Sequence, residues 1–380
     1  MIKGTPHLIK HMNKSGLLSI IMKEGGISRA KLAKESQISK ATVSFIVDEL
    51  IRENLIKETG EGVSTKRGGR KPIGLEFNES AAYIIGLNIG VKSSLCILSN
   101  LSGQIILERE FDTYYNKEIN VLGNIIKEVK RMIESFDKKE KIIGMGVGVP
   151  GITDIENGNV LFAPKLNWVN LEIQKLLEES FNVKVWIDND VNMGVLGEKW
   201  KGIGNKYNDF VFVCISGGIG SGIVINNKIH RGSSYTAGEI GYLVLSKEAL
   251  KHGKYTFDQF GYFESVASVI AIEERYYLSC DEIFNKGAEG DKDCLQVIDE
   301  MTDYLSLGIA NIMNILNPEA LIIDGIPPQT RAQILAAIEK KITQLTPVKC
   351  ALLVSELGKR SGIMGCIASV LVNTYGIEFY

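Results

Sequence analysis

The spacing of apolar residues predicts a helix with one buried face over residues 39–53, which read SKATVSFIVDELIRE. The apolar positions follow the i, i+3, i+4, i+7, i+8 pattern of one helix face: Val43, Ile46, Val47, Leu50 and Ile51. The first turn and the opposite face carry small and hydroxyl residues, which can approach base edges in the major groove of DNA. The candidate DNA contacts on this helix are Ser39, Lys40, Ala41, Thr42, Ser44 and Phe45.

Two more helices are predicted before this one. The first starts at Asn13 or Ser15 and ends at Gly25-Gly26, and the second opens at Ser28 in the segment SRAKLAKES. The short connector QI then leads into the third helix, as in a helix-turn-helix.

Two runs that favour strands flank the sequence KRGGRKP and predict a β-hairpin wing. Its basic tip adds candidate minor-groove contacts: Lys66, Arg67, Gly68, Gly69, Arg70 and Lys71.

The distribution of charge supports this interpretation of the N-terminal segment. Residues 1–78 carry 14 lysines and arginines against 8 acidic residues, whereas the rest of the chain carries 29 against 37. A basic head on an acidic body favours contact between the head and a polyanion. The alternative is a small three-helix domain with a solubilising loop. We expect residues 1–78 to bind double-stranded DNA.

From Ala81 onward the pattern changes to short β runs and glycine turns that alternate with helices, which is typical of α/β proteins. The runs AAYIIGLNIG, KIIGMGVGVPG and VKVWIDND predict strands of a mostly buried sheet, and NVLGNIIKEVKRMIESF predicts an amphipathic helix. The segment DFVFVCISGGIGSGIVINNKI repeats the opening plan of strand, glycine turn and strand. This weak repeat predicts two lobes of related architecture that face each other across a cleft.

Composition excludes several classes of protein. With 45% hydrophobic and 23% charged residues, the 380-residue chain is typical of globular proteins with roughly two or three domains. No apolar run approaches the ~20 residues of a membrane span, and the N-terminus lacks a secretory pattern. The six cysteines form no CxxC pair, so neither a zinc site nor a disulfide scaffold is expected. These features predict a cytoplasmic protein.

Four segments of the body resemble the ROK family of repressors and sugar kinases. They are GVGVPG (146–151), NDVNMGVLGE (189–198), GGIGSGIVINNKIHRG (217–232) and AGEIGY (237–242), in the order expected for the family. The head adds SKATVSFIVDELIRENLI and GGRKP, which resemble the DNA-binding part of the family's repressors, and most of all its xylose repressors. The resemblance covers nearly the whole chain.

The resemblance implies an N-terminal winged helix-turn-helix followed by a two-lobed α/β body of the actin-like, sugar-kinase type. We expect the head at residues 1–78, the first lobe at 79–190 and the second lobe at 191–360, with a final helix in 361–380 that returns to the first lobe. The family's repressors imply a homodimer that binds a palindromic operator and is released by a monosaccharide effector. Xylose is the first choice of effector, and glucose and N-acetylglucosamine are alternatives.

The loops that bind ATP in the family's kinases are altered in this chain. Asn88 replaces the aspartate of an Asp-x-Gly-Gly-Thr turn and removes a negative charge that helps to organise Mg²⁺, while Val91 replaces a glycine. Gly218 stands at a threonine position, and the sequence IIDGIPPQ disrupts the adenosine turn. Asp190 still matches the kinase general base. We expect a regulator without a cofactor rather than an enzyme, and an active sugar kinase with a DNA-binding head is the alternative.

Residues that match the family's sugar site are implied as contacts of the effector: Gly151, Asn189, Asp190, Glu239, Tyr242 and Glu264. Carboxylates and an amide offer directional acceptors to adjacent sugar hydroxyls. Trp168 and Tyr242 are candidates for an aromatic face against the sugar ring. Ordinary surface or capping roles are the alternative for the acidic residues.

The chain also differs from the members of the family that bind zinc. Tyr242 occupies their histidine position, and the loop that follows contains His252 but no cysteine. No metal is therefore expected. The sequence leaves open the operator bases, the identity of the sugar and the choice between dimer and tetramer.

Overall fold

The N-terminal head combines helices with a small antiparallel sheet. The computed structural model describes residues 5–61, 73–114, 120–251, 261–326 and 330–379. Within these ranges the elements of the head are α1 (Pro6–Glu24), β1 (Ile27–Ser28), α2 (Arg29–Ser36), α3 (Lys40–Arg52), β2 (Ile56–Glu61) and β3 (Ile73–Phe77). Its sheet has the order β1-β3-β2, and both strand pairs are antiparallel.

The structure confirms the predicted caps of α2 and α3. The backbone N–H of Lys31 donates to Ser28 Oγ (3.3 Å), and the N–H of Thr42 donates to Ser39 Oγ (3.2 Å). Each hydroxyl satisfies a backbone donor that the first turn of a helix leaves without a partner. The predicted apolar face of α3 is buried at Val43, Ile46, Val47 and Leu50.

The predicted start of α1 is wrong. The helix begins at Pro6 rather than near residue 13, and the N–H of Leu8 donates to the Thr5 hydroxyl (3.3 Å). Proline at the first helical position needs no N–H partner and already has a helical φ.

The predicted strands of the wing are present as β2 and β3. The predicted contacts at its tip lie outside the described residues: Lys66, Arg67, Gly68, Gly69, Arg70 and Lys71.

The body begins with a second group of elements. They are β4 (Tyr83–Asn88), β5 (Ser93–Asn100), β6 (Ile105–Asp112), α4 (Val121–Glu134), β7 (Ile142–Val149), β8 (Ile152–Asp154), β9 (Asn159–Ala163), β10 (Trp168–Leu171), α5 (Ile173–Phe181) and β11 (Lys184–Asn189). Strands β8, β9 and β10 form a small sheet of their own.

The remaining elements form the rest of the body. They are α6 (Asp190–Trp200), β12 (Phe210–Ile215), β13 (Ile219–Ile225), β14 (Lys228–His230), α7 (Tyr262–Ala267), α8 (Val269–Tyr276), α9 (Cys280–Ala288), α10 (Lys292–Leu316), β15 (Ala320–Asp324), α11 (Arg331–Leu345), β16 (Ala351–Val354) and α12 (Ser361–Tyr375). In the part of the chain that the structure describes, no helix combines the length and the apolar composition needed to cross a membrane.

The two large sheets share one strand plan, which confirms the prediction of two related lobes. Their orders are β11-β7-β4-β5-β6 and β16-β15-β12-β13-β14. In each sheet the central strand pairs antiparallel with the strand that follows it and parallel with a later strand, β7 or β15. The weak sequence repeat therefore reflects a repeated supersecondary unit.

Helices α6 and α12 cross in close backbone contact. A methyl group added at Gly365 would overlap the carbonyl oxygen of Met193 in α6, and one added at Gly197 would overlap the carbonyl oxygen of Ser361 in α12. Every residue of α12 from Ser361 to Leu371 is buried, and the helix also packs on β4 and β7. Glycine thus allows α12 to lie between α6 and the first large sheet.

We expect Gly365→Ala to lower the free energy of unfolding by about 1–3 kcal/mol, because the new methyl group meets backbone that cannot move without separating the two helices. The matched control is Gly16→Ala in α1, where no atom lies within 4 Å of the added methyl group. The same substitution should there raise stability by about 0.5–1 kcal/mol, because alanine favours a helix. Urea denaturation measures both changes, and a Gly365→Ala variant as stable as wild type would contradict the described crossing.

Candidate functional site

The amide of Asn189 joins two loops at the start of α6. Its Oδ1 accepts hydrogen bonds from the backbone N–H groups of Val191 (2.9 Å) and Asn192 (3.2 Å), and its Nδ2 donates to the carbonyl of Gly151 (3.0 Å). Gly151 has a φ of 143°, and a side chain there would overlap the carbonyl oxygen of Phe162. The predicted residues Gly151 and Asn189 therefore form one fixed unit, with little room for any other residue at 151.

Asp190 is the first residue of α6, which directly follows β11 of the first large sheet. Burial raises the pKa of its carboxyl to about 6, although the N–H of Val191 donates to it (3.0 Å) and Lys165 lies nearby. Desolvation disfavours the charged carboxylate more strongly than these groups favour it. The carboxyl group can therefore change its protonation state near neutral pH.

Two further carboxyl groups lie close to Asp190. Glu239 precedes a short 3₁₀ turn, and burial raises its pKa to about 7, with added repulsion from Asp190 and Glu264. Burial also raises the pKa of Glu264, which belongs to α7. The Nζ of Lys165 lies 3.9 Å from the Glu264 carboxylate and partly opposes this effect. The structure thus brings together the three predicted acids and a lysine.

The two aromatic candidates differ in their surroundings. Tyr242 ends the 3₁₀ turn that follows Glu239, and its backbone N–H donates to the Glu239 carbonyl (3.2 Å). Trp168 is only 7% exposed and belongs to the apolar core of the first large sheet. The prediction of Trp168 as a face for the sugar ring is therefore wrong, because its ring packs inside the lobe.

An ion pair beside the site escaped the sequence analysis. Asp188 is the next-to-last residue of β11, directly before Asn189. Its carboxylate accepts from Arg231 Nε (3.2 Å) and Nη2 (2.5 Å). The other carboxylate oxygen accepts from the N–H of Asn189 (2.8 Å) and from Asn192 Nδ2 (3.1 Å). The pair links β11 to the loop after β14 in the other large sheet. In the sequence, the feature that could have indicated this ion pair is an acidic residue, Asp188, directly before the helix-capping Asn189.

Two glycine turns that resemble the phosphate turns of the family's kinases differ in their surroundings. Asn88 Oδ1 is buried and has no hydrogen-bond partner among the residues that the structure describes. In the second turn, a methyl group added at Gly218 would overlap Glu264 Oε1. A carboxylate therefore lies against a turn that holds phosphate in the family's kinases. Residues 327–329 of the adenosine turn and the loop residue His252 lie outside the described residues.

The predicted DNA contacts on α3 lie on the face away from the core of the head. Ser39, Lys40, Ala41 and Phe45 are exposed, while Thr42 and Ser44 are half-buried. The Phe45 ring is 55% exposed, and Lys10 Nζ lies 5.2 Å from its centre. This face is available to a large partner such as duplex DNA.

Comparison with known proteins places these features in a family. The ROK family model matches residues 84–373, and a model of winged helix-turn-helix DNA-binding domains matches residues 13–57. The chain belongs to the ROK family. It is 34% identical to the xylose repressor of Caldicellulosiruptor bescii over 99% of this chain and 100% of that protein. It is 30% identical to the xylose repressor of Bacillus subtilis strain 168 over 97% of this chain and 96% of that protein.

Solved structures of ROK proteins share the fold. A ROK family transcriptional regulator, a homologue of the Escherichia coli Mlc protein, superposes with a TM-score of 0.83 at 26% identity over 97% of both chains. A ROK glucokinase from Streptomyces griseus, solved with glucose and AMPPNP, has a TM-score of 0.64 at 22% identity over 76% of this chain and 99% of its own. The ROK fold and the winged helix-turn-helix are thus established for this chain.

We expect Glu239→Gln to stabilise the unliganded protein at pH 8 but not at pH 5. The carboxyl of Glu239 has a pKa of about 7 in the folded chain against a usual 4.5, so the folded state holds a proton that the unfolded chain has lost. The stabilisation from that proton is complete below pH 4.5 and is lost as pH rises through 7. Glutamine stays neutral, so the variant should gain about 1–3 kcal/mol over wild type at pH 8.

Thermal unfolding at pH 5 and pH 8 measures this difference in Tm. The control Glu134→Gln removes an exposed carboxylate from α4 and should leave Tm nearly unchanged at both values. A Glu239→Gln variant with no gain at pH 8 would contradict the burial of this carboxyl group.

Proposed function

We propose that this protein is a sugar-responsive transcriptional repressor that binds operator DNA as a homodimer and is released by a monosaccharide. The proposal rests on one observation: the same chain has an exposed recognition helix, α3, and a cleft lined by Asp190, Glu239 and Glu264. Full-length relatives named xylose repressor support it, as does a 28% identical relative named N-acetylglucosamine repressor in Escherichia coli.

In this proposal the chain divides into a DNA-binding head (1–78), a first lobe (79–190) that the final helix (361–380) rejoins, and a second lobe (191–360). Two heads in a dimer would place their recognition helices about 34 Å apart, one turn of DNA, to read two half-sites. A sugar that changes the relation of the protomers would spoil this spacing and release the operator.

We propose xylose as the effector, held by the predicted residues Gly151, Asn189, Asp190, Glu239, Tyr242 and Glu264. The carboxylates and the Asn189 amide supply directional acceptors and donors for adjacent hydroxyls. A phosphorylated sugar is disfavoured, because its phosphate would meet three carboxyl groups. The two basic residues near the site already pair with acids, Lys165 with Glu264 and Arg231 with Asp188. Glucose and N-acetylglucosamine are the alternative neutral sugars.

We further propose that the chain is not a sugar kinase. The Glu264 carboxylate lies against the second glycine turn at Gly218, where it would repel a phosphate, and Asn88 gives no negative charge for Mg²⁺. The kinase alternative rests on Asp190, which matches the general base. A carboxylate at that position can equally accept a hydrogen bond from a sugar hydroxyl.

We expect xylose, and not glucose or N-acetylglucosamine, to release the protein from DNA taken from upstream of its own gene. Fluorescence anisotropy at fixed salt measures this, since phosphate contacts make affinity strongly dependent on ionic strength. Asp190→Asn should keep operator binding but lose the response to xylose, whereas Asp137→Asn, in an exposed loop, should behave as wild type. Release by another sugar would refute xylose, and sugar-dependent ADP production from ATP would establish the kinase instead.

We expect Phe45→Ala to weaken operator binding about tenfold, because the exposed ring on α3 is placed to contact bases in the major groove. The control Leu250→Ala truncates a side chain of the body that is 84% exposed, and it should not change operator affinity. The same anisotropy titration measures both variants without sugar. Equal affinity of Phe45→Ala and wild type would exclude this ring from the DNA interface.

A further inference from the structure

The DNA-binding head shares its apolar core with the last helix of the body. One continuous cluster includes head residues Leu17, Leu18, Ile21, Val43, Ile46 and Leu75 together with Ile363, Ile367, Val370, Leu371 and Ile377 from α12 and the residues after it. Core packing at native density transmits displacement between the elements that it joins. The head is therefore seated on the body as well as connected to it by the chain.

A hydrogen bond joins α1 of the head to the end of α12. The hydroxyl of Ser15 in α1 donates to the Tyr375 carbonyl (2.6 Å), with the His11 carbonyl as a more distant acceptor (3.0 Å). Gly376 ends α12 with a φ of 65°. A methyl group added there would lie 2.6 Å from Ser15 Oγ and 2.7 Å from His11 Cε1. The end of α12 thus lies directly against α1.

Ion pairs join α1 to the recognition helix α3. Lys14 Nζ lies 3.1 Å from the Glu49 carboxylate and 2.5 Å from that of Glu53, and Lys10 Nζ lies 2.7 Å from Glu49. The two helices also contribute to the same buried core. A shift of α1 relative to the body would therefore carry α3 with it.

The other end of this route lies in the candidate sugar site. Helix α6 begins at Asp190, directly after its cap Asn189, and it crosses α12 through the backbone contacts at Gly197 and Gly365. Because the backbones of α6 and α12 touch at these glycines, a movement of α6 would press directly on α12. Close contacts therefore run in series from the cleft through α6, α12 and α1 to α3.

We propose that Ser15 and Gly376 are positioning residues through which α12 passes the state of the sugar cleft to the recognition helix. The inference rests on the proposed function, since it assumes that a sugar alters the affinity for DNA. A contact contributes to such coupling when its free energy differs between the DNA-binding and released states. In this proposal the Ser15–Tyr375 hydrogen bond is made in one state and weakened in the other, and glycine at 376 allows the end of α12 to lie against α1.

The test uses two variants of the full chain and a matched control for each. Ser15→Ala removes the hydroxyl that reaches α12, and its control Ser19→Ala removes a hydroxyl that donates within α1, to the Ser15 carbonyl (2.9 Å). Gly376→Ala adds a methyl group against α1. Its control Gly290→Ala has the same kind of left-handed backbone, with a φ of 93°, but open space around the added methyl group.

The measured quantity is the ratio of operator dissociation constants with and without the sugar that releases the wild-type protein. Ser15→Ala and Gly376→Ala should lower this ratio about three- to tenfold, the range that one hydrogen bond can supply, while both controls keep it. Calorimetry should give a sugar affinity for the DNA-free variants within about twofold of wild type. By reciprocity, the operator should also weaken sugar binding less in the variants than in wild type.

Each other outcome overturns a defined claim. A wild-type protein whose operator binding no sugar changes refutes the proposed function, and this inference with it. A responsive wild type whose ratio is unchanged in Ser15→Ala refutes this inference alone, as does an equal loss in Ser19→Ala, which would indicate a general effect on α1. Ser15→Ala decides the matter if Gly376→Ala does not fold, as judged by thermal unfolding.

Discussion

The backbone contact between α6 and α12 is the constraint on which the arrangement of this protein depends. Glycines at 197 and 365 let the two helices approach to a distance that no side chain would permit. Helix α6 begins at Asp190 in the candidate site, and α12 lies on the first large sheet and reaches the head. The site, the lobes and the DNA-binding domain are consequently parts of one packed structure.

The cluster of carboxyl groups around Asp190 is maintained at a cost to stability. Asp188 is buried beside Arg231, which neutralises it and ties the two large sheets together. Asp190 and Glu239 are half-buried and form no comparable ion pair in the part of the chain that the structure describes, and desolvation raises the pKa values of both. Buried carboxyl groups of this kind destabilise the empty protein near neutral pH, and hydroxyl donors from a ligand would compensate them.

Local patterns predicted the local structure well. The apolar period of α3, the caps Ser28 and Ser39, and the repeated strand plan all depend on neighbouring residues, and the structure has each of them. The start of α1 was missed because its first turns bury no apolar residue: Leu8, Ile9 and Met12 are exposed and do not belong to the buried face that marks the rest of the helix. The Asp188–Arg231 pair joins residues 43 positions apart, and the seat of the head on α12 depends on contacts across almost the whole chain. No local pattern encodes such contacts. The sequence therefore predicts the individual residues of the site better than the contacts that connect them to the rest of the protein.

The position of Glu264 against Gly218 also has an evolutionary consequence. A threonine restored at 218 would need the space that Glu264 Oε1 now fills, so the carboxylate would first have to turn away from the position in which it faces Lys165. A phosphate-binding turn at this place would therefore require changes at two positions, and in the proposed function the first of them would disturb the effector site before any catalytic gain exists. If the protein acts as the proposed sensor, selection for sensing alone would oppose the stepwise gain of such a turn.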